Sequence, residues 1–116
     1  MKTNLFGPAV EFERHADGRV YFKLRDIVRA LGLEWTGQYR KTKADIFDRY
    51  QVVDERFSTE DDKTAMSVAI PAENVQNFLD DISVNRCPTD VAKLVIKLRD
   101  ELRGENLAEK AMYHLV

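Results

Sequence analysis

The sequence predicts an α+β fold, in which two β-hairpins with two short helices between them are followed by a helix and a long C-terminal helix. Three observations indicate this fold. Apolar and polar residues alternate over two pairs of short segments, as in half-buried strands. Apolar residues recur every three or four positions between and after these pairs, as on the buried face of a helix. The 116 residues, 44 % of them hydrophobic, are enough for one domain with its own core.

The first hairpin is predicted over residues 9–22. Residues 9–15 alternate in polarity, Asp17-Gly18 supplies the residues of a tight turn, and Val20 to Phe22 form the second strand. From Lys23 the spacing changes to that of a helix, whose apolar face is Leu24, Ile27, Val28 and Leu31.

Gly32 stands where a helix usually ends in a left-handed residue, so we expect the helix to stop there. A second helix is predicted from Trp35 to Tyr50. A second hairpin follows, with strands over residues 51–58 and 65–70 and a charged tip over residues 59–63.

Pro71 suits the first turn of a further helix, and residues 83–87 are predicted to form a loop. The longest helix is expected to begin at Pro88 or Thr89, and either a kink or a separate terminal helix is expected at Gly104. Its apolar stripe and the start of the next helix predict self-association into a dimer or higher oligomer through Val91, Leu94, Val95, Leu98, Leu102, Leu107 and Met112. The alternative is that the long helix covers the sheet of its own chain.

Charge is distributed unevenly along a chain whose net charge is only -2. Residues 19–43 contain seven basic and two acidic residues, whereas residues 44–63 contain three basic and seven acidic residues. A basic segment followed by an acidic one can steer a charged partner toward the protein. The alternative is that these side chains only form a solvated surface of mixed charge.

Residue patterns for catalysis and metal binding are missing from the sequence. His15 and His114 have no neighbours that suggest a triad, the glycines match no phosphate-binding loop, and the single Cys87 has no second ligand nearby. We therefore expect a protein that is not an enzyme and uses no metal, cofactor or small-molecule substrate. No stretch approaches the roughly 18 apolar residues of a membrane span, so we expect a soluble, cytoplasmic protein.

The segment around Trp35 allows two interpretations. Its aromatic, amide and basic side chains have the composition of a nucleic-acid surface, but Trp35 and Tyr39 could equally pack inside while the cations are solvated. The predicted partner-binding residues are Arg25, Arg29, Gln38, Arg40, Lys41 and Lys43. The predicted structural turn is Leu31, Gly32, Leu33 and Trp35.

Residues 21–41, YFKLRDIVRALGLEWTGQYRK, resemble the signature of the phage antirepressor N-terminal domain family. The later order agrees as well, since Ile70-Pro71 precedes a helix, an Ile-x-x-Asn stretch follows at Ile82, and Pro88 precedes a long helix. Glu34 stands where the family usually has aspartate, which preserves the charge. Family members commonly continue into a C-terminal domain, whereas we expect residues 1–116 to be a single antirepressor N-terminal-like domain.

The resemblance implies a protein that binds a phage repressor, prevents it from occupying its operators and so promotes prophage induction in the bacterial host. Two alternatives stay open. The basic residues 25–43 could bind DNA directly. The chain could also inhibit a host defence system, such as a CRISPR effector, with Asp61-Asp62 or Asp80-Asp81 acting as phosphate mimics.

Overall fold

The computed structural model of the protein describes residues 1–34, 49–58 and 64–116. Within these ranges one antiparallel sheet has the strand order β1-β2-β3-β5-β4. Its strands are β1 (Lys2–Thr3), β2 (Val10–Arg14), β3 (Val20–Lys23), β4 (Val53–Ser58) and β5 (Thr64–Pro71). Both predicted hairpins are confirmed, as β2–β3 and β4–β5, and the pairing of β3 with β5 joins them into one sheet.

Helices follow the strands of both hairpins, which confirms the α+β class. They are α1 (Leu24–Ala30), α2 (Val75–Asp80), α3 (Thr89–Leu102) and α4 (Leu107–Tyr113), with short 3₁₀ turns at Ala72–Asn74 and Val84–Arg86. The helix predicted over residues 35–50 falls almost entirely outside the described residues.

Two boundaries differ from the prediction. Pro71 is the last residue of β5 rather than part of the first helical turn, because its ψ of 141° is that of extended backbone. A 3₁₀ turn therefore lies between the proline and α2. The predicted loop over residues 83–87 contains the second 3₁₀ turn. The start of α3 after Pro88 and the separate terminal helix are confirmed.

One face of the sheet carries the core. Phe12, Phe22 and Ile70 lie side by side on β2, β3 and β5, and all three are fully buried. Helix α1 packs across the same three strands, and its Ile27 and Val28 join this core. The alternation in the strands and the spacing in the helix thus meet in one apolar layer.

The apolar stripe of α3 belongs to that layer, which corrects the expectation that it is a surface for self-association. Four residues of the helix, Val91, Val95, Leu98 and Leu102, are buried in the core of their own chain, as is Leu107 of α4. Leu94 and Met112 are partly buried against the same cluster. Since these side chains are buried in or against the core of their own chain, they form no exposed stripe that needs a partner.

The chain termini meet at the outer edge of the sheet, which the sequence did not predict. The main-chain N–H of Val116 donates to the carbonyl of Lys2 at 3.1 Å, and the N–H of Asn4 donates to the carbonyl of His114 at 2.9 Å. The Thr3 side chain is fully buried there, and its hydroxyl donates to the carbonyl of His114.

Candidate functional site

Helix α1 ends in a Schellman motif at the predicted turn. The N–H of Gly32 donates to the carbonyl of Arg29, and the N–H of Leu33 donates to the carbonyl of Val28, both at 3.0 Å. Gly32 has a φ of +82°, a left-handed conformation that glycine adopts without steric cost. Leu31 is buried and Leu33 is partly buried against the core, so the turn is fixed on both sides of the glycine.

Arg25 and Arg29 lie on the opposite side of α1 from the core. Leu24, Ile27 and Val28 are buried, and the 3.6-residue period of the helix places positions 25 and 29 together on its solvent side. Both arginines are exposed, and neither forms a hydrogen bond or ion pair with the residues that the structure describes. Two adjacent guanidinium groups are thus available to a partner.

Asp26, which lies between these arginines in sequence, is engaged elsewhere. Strand β2 pairs with β3 from Phe12 onward, and the N–H of the preceding residue, Glu11, donates to the Asp26 carboxylate at 2.9 Å. The first turn of α1 is thereby tied to the sheet. The carboxylate faces the strand and does not form an ion pair with either arginine.

Glu11 is itself a buried acid on β2. Burial is the main cause that raises the pKa of its carboxyl group, and the N-terminal ammonium and Lys2 oppose it. Its Oε2 atom has no hydrogen-bond partner within the described part of the chain. Nothing in the sequence singled out this residue, because a glutamate in an alternating strand is normally on the solvent side.

Of the predicted site, the structure brings together Arg25, Arg29 and the Leu31–Leu33 turn. The remaining predicted residues, Trp35, Gln38, Arg40, Lys41 and Lys43, lie outside the described residues. One further cation, Lys23, directly precedes the first residue of α1. Its Nζ atom lies 5.9 Å from the centre of the Phe57 ring.

The acidic pair Asp80-Asp81 is occupied by contacts within the chain. Asp80 accepts hydrogen bonds from Arg103 and Gln76 at 3.0 Å each, and Asp81 accepts one from the Tyr50 hydroxyl at 2.6 Å. Carboxylates that already have donors are poorly suited to act as phosphate mimics. The other pair named for that role, Asp61-Asp62, lies outside the described residues.

Tyr50 anchors the segment that precedes β4. Its ring packs edge-on against Phe78 at 5.6 Å, its carbonyl accepts a hydrogen bond from Asn74, and its hydroxyl donates to Asp81. Burial, followed by the bond to Asp81, raises the pKa of Tyr50 to about 12. No local pattern predicts this network, since Tyr50 lies 24 to 31 positions before its three partners.

The two histidines are not part of the α1 surface, which consists of Arg25, Arg29 and the turn at Leu31–Leu33. His15 stacks on Tyr21 with ring centres 4.6 Å apart, and its Nε2 is 3.1 Å from a carboxylate oxygen of Glu55, which links the end of β2 to β4. His114 is exposed at the sheet edge. Within residues 1–34, 49–58 and 64–116, no group of three potential metal ligands comes together, and no helix is long and apolar enough to cross a membrane.

Comparison with protein families gives a match to the P22_AR N-terminal domain over residues 8–104. This match covers most of the chain, and it includes β2, β3, α1 and the whole of α3. No curated protein and no solved structure matches the chain. The chain belongs to the P22_AR N-terminal domain family, a family of phage antirepressor N-terminal domains.

Proposed function

We propose that this phage antirepressor-like chain binds a phage repressor in the cytoplasm of the bacterial host, keeps it from its operators and so promotes prophage induction. The family match over residues 8–104 carries the proposal. Inhibition is stoichiometric and needs no catalysis, cofactor or small-molecule substrate, because occupying the repressor surface is sufficient.

The α1 surface is the part of the described structure best suited to such a contact. Arginine is enriched at protein interfaces, and Arg25 and Arg29 stand exposed without partners in the described part of the chain. The helix beneath them is fixed by the Asp26 contact at its start and by the Gly32 turn at its end. Binding therefore orders two side chains but little backbone, which lowers the entropic cost of association.

The test is an operator-shift assay with a phage repressor and its operator DNA. Adding the protein should release the repressor from operator DNA, and the two proteins should co-elute in gel filtration. Replacing both Arg25 and Arg29 with glutamate should raise the concentration needed for release by about tenfold or more, as expected for loss of charged contacts at an interface.

A matched control reverses two charges of the same spacing on another helix. Lys93 and Lys97 are exposed on α3, four positions apart, and only Lys97 has an acidic partner, Glu101 at 3.9 Å. The variant K93E/K97E should release the repressor like the wild-type protein. If the wild-type protein neither forms a complex nor changes the operator shift, the proposed function is wrong.

Direct DNA binding is the second candidate, and the two exposed arginines, which have no partner among the described residues, favour it. Each phosphate contact releases counterions, so log K should fall with log salt concentration by about 0.9 per contact. If the protein alone shifts operator DNA with such a slope, and R25E/R29E removes the shift, the DNA candidate replaces the repressor-binding one. No shift at low salt excludes it.

A further inference from the structure

The outer face of α3 carries two opposite charges on either side of an apolar residue. Four residues of this helix are buried in the core, so its 3.6-residue period places Lys93, Ile96 and Asp100 on the opposite side. All three are exposed, and Ile96 keeps 46 % of its surface in contact with solvent. Their spacing of three and four positions is that of the contact residues in paired helices.

The two charges of this face are not neutralised within the described part of the chain. Neither Lys93 nor Asp100 forms a hydrogen bond or an ion pair with any residue that the structure describes. Lys97, on the flank of the face, differs from them because its ammonium group lies 3.9 Å from the carboxylate of Glu101. A partner can therefore supply the counter-charges of Lys93 and Asp100, whereas that of Lys97 is present in its own helix.

The pattern is complementary to itself when the helix is reversed. Lys93 lies three positions before Ile96 and Asp100 lies four positions after it, which is about 5 Å and 6 Å along the axis. In an antiparallel pair of α3 helices with the two Ile96 side chains adjacent, Lys93 of each copy is level with Asp100 of the other. The two-fold axis repeats this contact, so the pair gains two ion pairs. A parallel pair would place like charges opposite each other, which is unfavourable.

We propose that the outer face of α3 binds a second copy of this chain as an antiparallel helix pair centred on Ile96. The buried stripe of α3 stays in the core of each copy and takes no part in the contact. Two helices of 14 residues give a contact about 21 Å long, so the dimer is weak and forms at high protein concentration. Arg25 and Arg29 are not part of this face, so the inference does not rest on repressor binding.

Sedimentation equilibrium of the full chain between about 10 μM and 1 mM, the range of weak association, tests the proposal. The wild-type protein should dimerise reversibly. Lys93→Glu and Asp100→Lys should each weaken the dimer by about tenfold or more, because each reversal replaces two attractive contacts of the symmetric dimer by two repulsive ones.

Charge exchange then tests the direction of the helices. The double variant K93E/D100K should dimerise like the wild-type protein, because both charges of each pair are exchanged. An equimolar mixture of K93E and D100K should form a mixed dimer, although neither variant associates well alone. A parallel pair would show no such recovery, since the exchange would again place like charges opposite each other.

Two controls separate this proposal from the proposed function. R25E/R29E reverses two charges on α1 and should dimerise like the wild-type protein. K93E/K97E should sediment as a monomer and still release the repressor from its operator. Loss of the dimer and loss of repressor binding are thus measured on different variants, and either one can fail without the other.

Three results would overturn the proposal. The first is a wild-type protein that remains a monomer at the highest concentration. The second is a dimer that K93E and D100K both leave unchanged, because another surface would then form it. The third is a dimer that the single variants weaken but K93E/D100K does not recover, because the two residues would then not face each other in an antiparallel pair.

Discussion

Replacing Gly32 by alanine should destabilise the fold through two separable effects. The first is conformational, because the φ of +82° is a left-handed value that a Cβ atom disfavours. The second is steric, because the added Cβ would lie 3.3 Å from the Cγ2 atom of Val91. Val91 is buried at the start of α3 and cannot turn into solvent.

The magnitudes follow from each effect. A left-handed non-glycine residue costs about 1 kcal/mol. Carbon atoms pack best at about 3.5–4.0 Å, so the contact with Val91 requires a shift of a few tenths of an ångström in the core, at about 1 kcal/mol, the low end for overpacking. Gly32→Ala should therefore lower the free energy of unfolding by about 2 kcal/mol, or the melting temperature by about 8 °C.

Gly104 provides the matched control in a urea-unfolding experiment. Its φ of +74° is also left-handed, but a Cβ atom there would meet no atom within 4 Å. Gly104→Ala should thus lose only the conformational part, about 1 kcal/mol. In the double variant G32A/V91A the steric part should be absent. The free energy of unfolding that it loses should therefore be about 1 kcal/mol smaller than the sum of the losses in the two single variants. Equal losses at the two glycines would refute the contact, and no loss at either would refute the backbone argument.

Three further predictions concern single side chains. The raised pKa of Tyr50 means that the folded state holds the phenol proton more tightly than the unfolded state does. The urea midpoint of the wild-type protein should therefore fall as the pH rises from about 10 to 12, and that of Tyr50→Phe should fall less. Burial raises the pKa of Glu11, so the unfolding free energy of the wild type relative to Glu11→Gln should decrease from pH 4 to 7 in the same assay, and a constant difference would contradict this. Arg99 donates hydrogen bonds to three main-chain carbonyls at the end of α2. Arg99→Lys should therefore lower the free energy of unfolding by about 2 kcal/mol in a thermal-unfolding experiment. Arg103→Lys, which changes an exposed ion pair, should lower it by less than about 0.5 kcal/mol.

Local chemistry explains why much of the fold could be predicted. The glycine at position 32 and the leucines beside it specify the end of α1, and both hairpins follow from alternation and polar turns, because these signals act over a few residues. What joins the hairpins could not be predicted. The pairing of β3 with β5 and the meeting of the two termini bring together residues about 50 and 110 positions apart.

The stripe on α3 shows a different limit. Periodicity identifies the face of a helix that avoids water, but not which surface covers it. The core of the same chain covers Val95 and Leu98. Arg99 likewise follows these buried positions in sequence, yet it reaches back across 17 to 20 positions to the end of α2. A cation on one helix thus caps the end of another helix, which periodicity alone does not predict.

For the candidate site, the sequence predicted six partner-binding residues, and the structure describes two of them, Arg25 and Arg29. Both are exposed and have no partner among the described residues. Availability depends on where the neighbouring acids are bound. Asp26 would be expected to neutralise the arginines of α1, but its carboxylate accepts the main-chain N–H of Glu11 on β2. The same bond that fixes α1 to the sheet therefore leaves Arg25 and Arg29 without a counter-charge in the described part of the chain. Replacing Asp26 by alanine should loosen the helix and weaken partner binding together, whereas R25E/R29E should weaken binding alone.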